Sequence, residues 1–306
     1  KEFEHDFGIS KVIKLEQNYR SHGNILEAAN ALIKNNSGRL GKNLWTDEGQ
    51  GEPLRVYNAP NDYDEASFIV DEIKALHAEG VALSQIALLY RSNAQSRLME
   101  EALLQRQLSY RIYGGQRFFE RQEIKDALAY LRIINNRDDD AAFERVINTP
   151  TRGIGNQTLS LVRDAARGSE VTLWQACQQM IQAEQLKGRG AKTITAFIQL
   201  IEQLEDDTAN LDLDQQANFI ISHSGLKAMY QAEKGERAAQ RIENLNELVT
   251  ACQTFEVDPE LVEEQSQLTA FLTHAALESG ESQADEFEAA VQLMTMYSAN
   301  GLEFPL

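Results

Sequence analysis

Apolar residues along this chain change their spacing twice, and this change limits the folds open to it. Up to Gly115, strand-like runs alternate with segments of helical spacing. From there to about Gly280 every segment has helical spacing, and Ala290–Met296 is strand-like again. Alternating strands and helices predict a parallel sheet covered by helices. The late strand-like run predicts that the chain returns to that sheet after a long helical stretch.

The predicted organisation is an α/β domain interrupted by a mostly α-helical insertion. We assign residues 1–113 to the first part of the α/β domain, 114–287 to the insertion and 288–306 to the return. The strand-like runs before the insertion are Leu54–Tyr57, Ile86–Tyr90 and Tyr110–Tyr113, and the helical segments within it centre on Phe143, Leu161, Ala176, Ile198, Phe219, Leu245 and Phe271. Phe118 and Phe119 are expected to pack at the junction of the two parts.

Charge is distributed unevenly along the chain. The 306 residues hold 29 Lys and Arg against 47 Asp and Glu, a net charge of −18. Residues 1–156 carry 20 basic and 23 acidic side chains, giving −3, whereas residues 157–306 carry 9 and 24, giving −15. Seven basic residues crowd into residues 91–125, namely Arg91, Arg97, Arg106, Arg111, Arg117, Arg121 and Lys125. The net charge disfavours nucleic acid as a partner, but this basic stretch is compatible with a phosphate-binding surface.

The sequence predicts a cytoplasmic protein. No run approaches the roughly 18 apolar residues that a membrane span needs, and the first residues are not organised as a signal peptide. Cys177 and Cys252 lie far apart without metal-ligand spacing, which indicates a reducing compartment and neither a disulfide nor a zinc site. Asp138–Asp140 is expected to begin a helix, since carboxylates favour a helix N-terminus. No metal site is predicted.

The chain has no glycine-rich phosphate loop ending in Gly-Lys-Ser/Thr, which a complete NTPase requires. Gly188–Thr193 has a partly similar composition but follows a helical pattern, so we expect a connection between helices. The sequence therefore predicts no self-contained active site.

Two acidic stretches, Glu205–Asp207 and Glu256–Glu264, are expected to be solvated loops.

Short segments of the chain carry side chains suited to nucleotides or nucleic acids. Tyr19 and Arg20 join a ring that can stack on a base to a guanidinium that can bind phosphate, although such surface pairs are usually structural. Arg91 and Asn93 directly follow a predicted strand, at the end where α/β sheets bind ligands; capping of a helix is the alternative. Gly153–Gly155 offers backbone N–H groups and a helix start to a phosphate, or forms an ordinary turn.

Five segments taken together are far more specific than any one alone. They are Leu15–Ser21, Leu89–Ser96, Tyr113–Asp126, Thr149–Gly155 and Leu293–Phe304. Their order and spacing resemble superfamily I DNA helicases of the UvrD, Rep and PcrA type, over essentially all 306 residues. The resemblance implies that the α/β part is an incomplete RecA-like domain, termed 2A, and that the helical insertion is domain 2B.

For the nucleotide, the resemblance implies ATP with Mg²⁺, bound by the parent enzyme and not by this chain alone. Tyr19 would pack beside the adenine and Glu303 would lie near the ribose. Arg20 would be an arginine finger, because the matching arginine of the helicases reaches the γ-phosphate from across the cleft between two RecA-like domains.

For DNA, the resemblance implies contacts in three regions of the chain. The residues are Arg91 and Asn93 for single-stranded DNA; Arg152, Gly153, Ile154, Gly155 and Thr158 for duplex DNA; and Thr295, Tyr297 and Ser298 beside the single strand. The chain departs from the family in the last region. Tyr297 and Asn300 stand where the family usually has His and Lys, so the charge of the lysine is lost.

The expected function is that of an excised part of an ATP-dependent DNA helicase that moves 3′ to 5′ and acts in DNA repair. Expected partners are single-stranded DNA, junctions of single- and double-stranded DNA, the N-terminal RecA-like domain of the same parent chain, and repair proteins. Alone, the chain is expected not to hydrolyse ATP. The alternatives are a non-catalytic DNA- or protein-docking module and a part of a helicase–nuclease.

Overall fold

The computed structural model describes residues 13–37, 41–186, 188–257, 266–280 and 288–306. The chain divides into two compact units, Lys1–Asn61 and Asp62–Leu306. In the first unit, helix α1 spans Gly23–Lys34. A parallel bridge pairs Gln17 with Trp45 and so joins the segments that precede and follow this helix.

The second unit combines helices with a small sheet. Its elements in chain order are α2 (Asp62–Ala78), β1 (Ala87–Tyr90), α3 (Ser96–Gln105), β2 (Tyr110–Ile112), α4 (Gln122–Asn135), α5 (Asp140–Val146), α6 (Asn156–Ser169), α7 (Leu173–Gln182), α8 (Gly188–Thr208), α9 (Leu213–His223), α10 (Leu226–Ala232), α11 (Glu236–Thr254), α12 (Gln267–Gly280) and β3 (Val291–Thr295). Every helix centre predicted from the sequence lies in a helix, whereas α1 and α10 were not predicted. Within the described ranges, no helix has the length and hydropathy needed to cross a membrane.

The sheet is parallel and has the strand order β1-β3-β2. Tyr90 pairs with Thr295 and Ile112 with Leu293, so the last strand in sequence lies between the first two. The strand-like run near the end of the chain therefore returns to the sheet, as predicted. Because β3 is central, its side chains at Val291, Leu293 and Met294 are fully buried. Helices α2 and α3 pack on this sheet, and their apolar residues share its core.

The helices from α4 to α12 have a core of their own. The Phe143 ring meets Trp174 and Phe197 edge to face, with centroids 6.4 Å and 5.6 Å away, which joins α5, α7 and α8. Phe118 and Phe119 are buried in the same core.

The start of α5 confirms the prediction for the run of three aspartates, Asp138–Asp140. Asp139 is the N-cap, and its carboxylate accepts a hydrogen bond from the Ala142 N–H at 2.8 Å. Such a cap satisfies one of the free N–H groups of the first helical turn, typically contributing about 1 kcal/mol. The run therefore has a structural explanation that requires no metal.

The predicted strand Leu54–Tyr57 is wrong. None of its residues lies in a strand, and Leu54 and Val56 are 56% and 95% exposed. Alternating spacing predicts a strand only when one face is buried, and here neither face is.

Two predicted connections are also wrong, because both belong to α8. Gly188–Thr193 forms its first turns, and Glu205–Asp207 forms its last turn with exposed carboxylates. Gly190 serves close packing at the start of this helix, since a Cβ there would lie 3.2 Å from Thr158. Most of the other acidic stretch, Glu256–Glu264, lies outside the described residues.

The two buried thiols provide a test of this core. Burial raises the pKa of both Cys177 and Cys252 to about 12. Since the thiolate is the reactive form, only about 1 in 10,000 such thiols is ionised at pH 8. We expect the native chain to resist iodoacetamide at this pH, and the chain unfolded in guanidinium chloride to take up two labels, as counted by mass spectrometry. Rapid labelling of the native chain would contradict the packing described for α7 and α11.

Candidate nucleic-acid interface

Tyr19 and Arg20 lie in an exposed turn of the first unit. The Asn18 Oδ1 accepts the N–H groups of Arg20 at 2.9 Å and Ser21 at 2.8 Å, which fixes the turn. The Tyr19 ring is 78% exposed, and its hydroxyl donates to Gln17 Oε1 at 2.8 Å. The turn therefore presents an aromatic face to solvent from a defined backbone.

In the second unit, four of the predicted DNA-binding residues meet at the carboxyl edge of the sheet. Arg91 follows β1, Thr295 ends β3, and Tyr297 and Ser298 follow it. The Arg91 guanidinium lies over the Tyr297 ring, 5.4 Å from its centroid, and that ring is 67% exposed. The parallel register brings these two loops together although about 200 residues separate them in sequence. We refer to Arg91, Thr295, Tyr297 and Ser298 as the edge cluster.

Internal hydrogen bonds shape both loops of the edge cluster. Gln95 Oε1 accepts the N–H groups of Arg91 at 2.9 Å and Ser92 at 3.1 Å. Thr295 Oγ1 accepts the Ser298 N–H at 3.2 Å, and the two hydroxyl oxygens lie 3.0 Å apart. The Arg91 side chain is exposed and forms no ion pair with any residue of the described ranges. Its charge is therefore available to an anion.

Asn93 connects the loop after β1 to the helices. Its carbonyl accepts from Arg121 Nη1 at 2.9 Å, and its side-chain amide lies 3.5 Å from Gln240 Oε1 on α11. It also lines an open cavity of about 270 Å³, to which Arg237 contributes. Sequence reasoning named Arg121 only as part of the basic stretch and did not indicate Arg237, because the loop residue Asn93 that joins them at this cavity is distant from Arg237 in sequence.

The glycine loop, Gly153–Gly155, leads into α6. Gly153 has a φ of +76°, which side chains rarely adopt, and Gly155 is the N-cap of α6 without a capping side chain. A Cβ at Gly155 would meet no atom within 4 Å, so its backbone is open to an approaching group. Ile154 is 2% exposed and anchors the loop in the helical core. Thr158 lies in the first turn, which has no acidic residue. This helix start thus offers N–H groups and the positive end of the dipole to an anion.

Arg152 directs its guanidinium into the protein. It donates to the carbonyls of Val146 at 2.9 Å, Pro150 at 3.2 Å and Ser224 at 3.0 Å, and to the Tyr130 hydroxyl at 2.6 Å. These bonds occupy most of the donors of the side chain. The Arg152 side chain therefore stabilises the glycine loop through hydrogen bonds inside the protein.

The segment beyond β3 contains the remaining predicted residue. Gly301 has a φ of +90°, which confirms the predicted turn, and Glu303 follows in an exposed position. Among the residues that the structure describes, no group of His, Cys, Asp or Glu side chains could hold a metal ion.

A basic cavity in the helical part was not predicted. It measures about 270 Å³ and is lined by Lys125, Arg132 and Arg145 above an apolar floor. Arg145 is paired with Asp126 at 2.7 Å, whereas neither Lys125 nor Arg132 has an ion-pair partner in the described part of the chain. Lys125 and Arg132 are seven residues apart, two turns along one face of α4. That spacing is the sequence signal that could have indicated the cavity.

These features define an α/β protein that is interrupted by helices and has a cationic site at the carboxyl edge of its parallel sheet. The UvrD-like helicase C-terminal domain family matches residues 13–306. The chain belongs to this family, so the resemblance predicted from its motifs is confirmed.

The chain is similar to proteins that are named as DNA helicases. DNA helicase II of Escherichia coli K12 is 58% identical over 303 residues, which are 99% of this chain and 42% of that protein. DNA helicase II of Haemophilus influenzae is 57% identical over 97% of this chain and 41% of its own length. The ATP-dependent DNA helicase PcrA of Bacillus subtilis is 40% identical over 99% of this chain and 41% of its own length. The chain thus spans about two fifths of the relatives that it matches.

The buried bonds of Arg152 predict a stability defect. Replacing Arg152 with Ala removes one donor from the Tyr130 hydroxyl and leaves the carbonyls of Pro150 and Ser224 without their donor, while the Val146 carbonyl keeps the Thr149 N–H. We expect the free energy of unfolding to fall by roughly 2–4 kcal/mol. The control is Arg167→Ala, which removes an exposed ion pair of 3.8 Å on α6 and should change stability by less than about 0.5 kcal/mol. Urea denaturation measures both. Equal effects of the two substitutions would show that Arg152 is not held as described.

Proposed function

We propose that this chain is the part of an ATP-dependent DNA helicase that provides its single-strand track, its duplex-binding loop and its arginine finger. The observation that carries the proposal is the edge cluster, present in a chain of the helicase family. Its exposed guanidinium can neutralise a phosphate, its hydroxyls can donate to the DNA backbone, and the Tyr297 ring can stack on a base. Contacts of this kind are independent of DNA sequence, which suits a protein that moves along a strand.

In this proposal, residues 1–113 and 288–306 form the RecA-like domain 2A, and residues 114–287 form domain 2B. The position of β3 between β1 and β2 supports this division, as does the separate core of helices α4 to α12. The full-length protein moves 3′ to 5′ on single-stranded DNA and opens duplexes in repair. Its partners are single strands, junctions, its own N-terminal RecA-like domain and repair proteins.

The nucleotide is ATP with Mg²⁺, and this chain contributes only part of its site. Arg20 is the proposed arginine finger, Tyr19 packs beside the adenine, and Glu303 accepts from the ribose. The fixed turn and the exposed ring of Tyr19 support the proposed position of this residue beside the adenine. Because the sequence has no Gly-Lys-Ser/Thr loop, other parts of the full-length protein must hold the phosphates and the metal. The chain by itself is expected to release no phosphate from ATP.

Duplex DNA is proposed to bind at the glycine loop. The N–H groups at the start of α6 approach a backbone phosphate, which the bare Cα of Gly155 permits, and Thr158 adds a hydroxyl. Arg152 contributes by supporting the loop from within. The free cations Lys125 and Arg132 on α4 add favourable charge for the same polyanion.

The single-strand track is tested by Arg91→Gln. Affinity of the 306-residue chain for oligo-dT is measured from about 50 mM to 200 mM salt, because each phosphate contact adds about 0.7 to the slope of log affinity against log salt. We expect Arg91→Gln to weaken binding and to reduce this slope by about 0.7. The control is Arg167→Gln on the exposed face of α6, which should change neither. Binding that is absent in the unaltered chain at every salt concentration would favour the protein-docking alternative.

The duplex-binding loop is tested by Gly155→Ala. The added methyl meets no protein atom, so folding is expected to be unaffected, while close approach of a phosphate to the backbone is hindered. We expect affinity for a blunt duplex to fall about tenfold with little change in salt slope, since neutral N–H groups release no counterions. Gly168→Ala, near the other end of α6 and equally unobstructed, is the matched control. A duplex affinity equal to that of the control would exclude the loop as a phosphate site.

A further inference from the structure

The Arg121 side chain lies where the loop after β1 meets helices α4 and α11. It is 7% exposed, and its Nη1 donates both to the Asn93 carbonyl at 2.9 Å and to Asn244 Oδ1 at 3.0 Å. Its Nη2 donates to Ser96 Oγ at 2.7 Å, and its Nε donates to the Gln116 carbonyl at 3.2 Å. One guanidinium therefore bonds directly to both the loop and α11.

Buried charge holds this guanidinium in place. Glu100 on α3 lies 3.7 Å from Arg121 Nη2 and accepts from Ser96 Oγ at 2.5 Å and from the Phe118 N–H at 3.1 Å. Burial raises the pKa of Glu100 and lowers the pKa of Arg121, so each charge depends on the other for its stability. Asn244 is fixed in turn, because its amide donates to Glu123 Oε1 at 2.6 Å.

Residues of the loop and of α11 line one cavity. Asn93 lines it together with Gln240 and Asn244 of α11. Arg121 lines the same cavity and bonds to both Asn93 and Asn244. The Asn93 amide also lies 3.5 Å from Gln240 Oε1 of α11, a longer contact than the two bonds of Arg121. A displacement of α11 therefore disturbs both links, of which the one through Arg121 is shorter and charged. Asn93 is two residues from Arg91, so such a movement reaches the edge cluster.

We infer that Arg121 is a positioning residue that couples helix α11 to the single-strand-binding loop, so that movement of the helical part changes how Arg91 meets DNA. The inference deepens the proposed function and rests on it. Arg121 needs no contact with DNA for this role, because its donors are occupied within the protein.

The test uses two substitutions in the 306-residue chain that act on different ends of this connection. Asn244→Leu removes the acceptor on α11 and leaves Arg121 intact, whereas Arg121→Lys keeps the charge and loses the forked geometry. We expect each to lower oligo-dT affinity about tenfold, which lies within the usual range of coupling between two sites, because the loop is then no longer held in position before it meets DNA. We also expect faster hydrogen exchange at the Arg91 and Ser92 amides. The double variant should lose little more than either single variant.

The matched control is Arg97→Met. Arg97 is also buried at this junction and pairs with Glu247 of α11 at 2.6 Å and with Glu101 at 3.2 Å, but it bonds to no residue of the loop in the described structure. We expect it to lower the melting temperature while oligo-dT affinity stays within about twofold and exchange at Arg91 is unchanged. An equal loss of affinity in this control would overturn the inference, since it would show general destabilisation.

Arg91→Gln separates failure of the inference from failure of the proposed function. If it weakens oligo-dT binding while Asn244→Leu and Arg121→Lys do not, the coupling is overturned and the single-strand track stands. If Arg91→Gln has no effect either, both are overturned. Should Arg121→Lys fail to fold, Asn244→Leu decides the outcome alone.

Discussion

The position of β3 between β1 and β2 is the constraint on which the second unit depends. Parallel neighbours cannot be joined by a tight turn, so the chain must travel through a long crossover before it returns. Here the crossover contains nine helices, α4 to α12, within the described ranges. The same pairing brings the carboxyl ends of β1 and β3 side by side. Arg91 and Tyr297 can therefore meet only when the last strand has joined the sheet.

A second constraint is the polar junction between the sheet layer and the helices. Glu100, Arg121 and Asn244 are each almost fully buried, yet every one has hydrogen-bond partners. Apolar surfaces tolerate sliding, whereas a buried ion pair with directional bonds penalises any arrangement that leaves a charge unpaired. A junction built this way permits few positions of the helices relative to the sheet layer. The coupling of helix α11 to the loop after β1 requires this property.

The sequence predicts most of the elements, because amphipathic spacing and caps are local signals. All helices except α1 and α10, and also β3, follow from apolar spacing, and the cap at Asp139 follows from its carboxylate. The edge cluster was predictable in outline, since ligands bind where parallel strands end. The failures arise where a local pattern does not determine burial or helix length. Leu54–Tyr57 alternates without a buried face, and α8 continues through two segments whose composition is typical of loops. The inward course of Arg152 was not predictable, because it depends on Tyr130 and Ser224, which are distant in sequence.

The central claim is that single-stranded DNA binds at the edge cluster, and photo-crosslinking tests it most directly. An oligo-dT in which one thymine is replaced by 5-bromouracil, irradiated with the chain at low salt, forms bonds to nearby aromatic side chains. Mass spectrometry of the digested product should place the crosslinks in the peptides that contain Tyr297 or Arg91. Efficient crosslinking confined to peptides outside both β-strand ends would contradict the account.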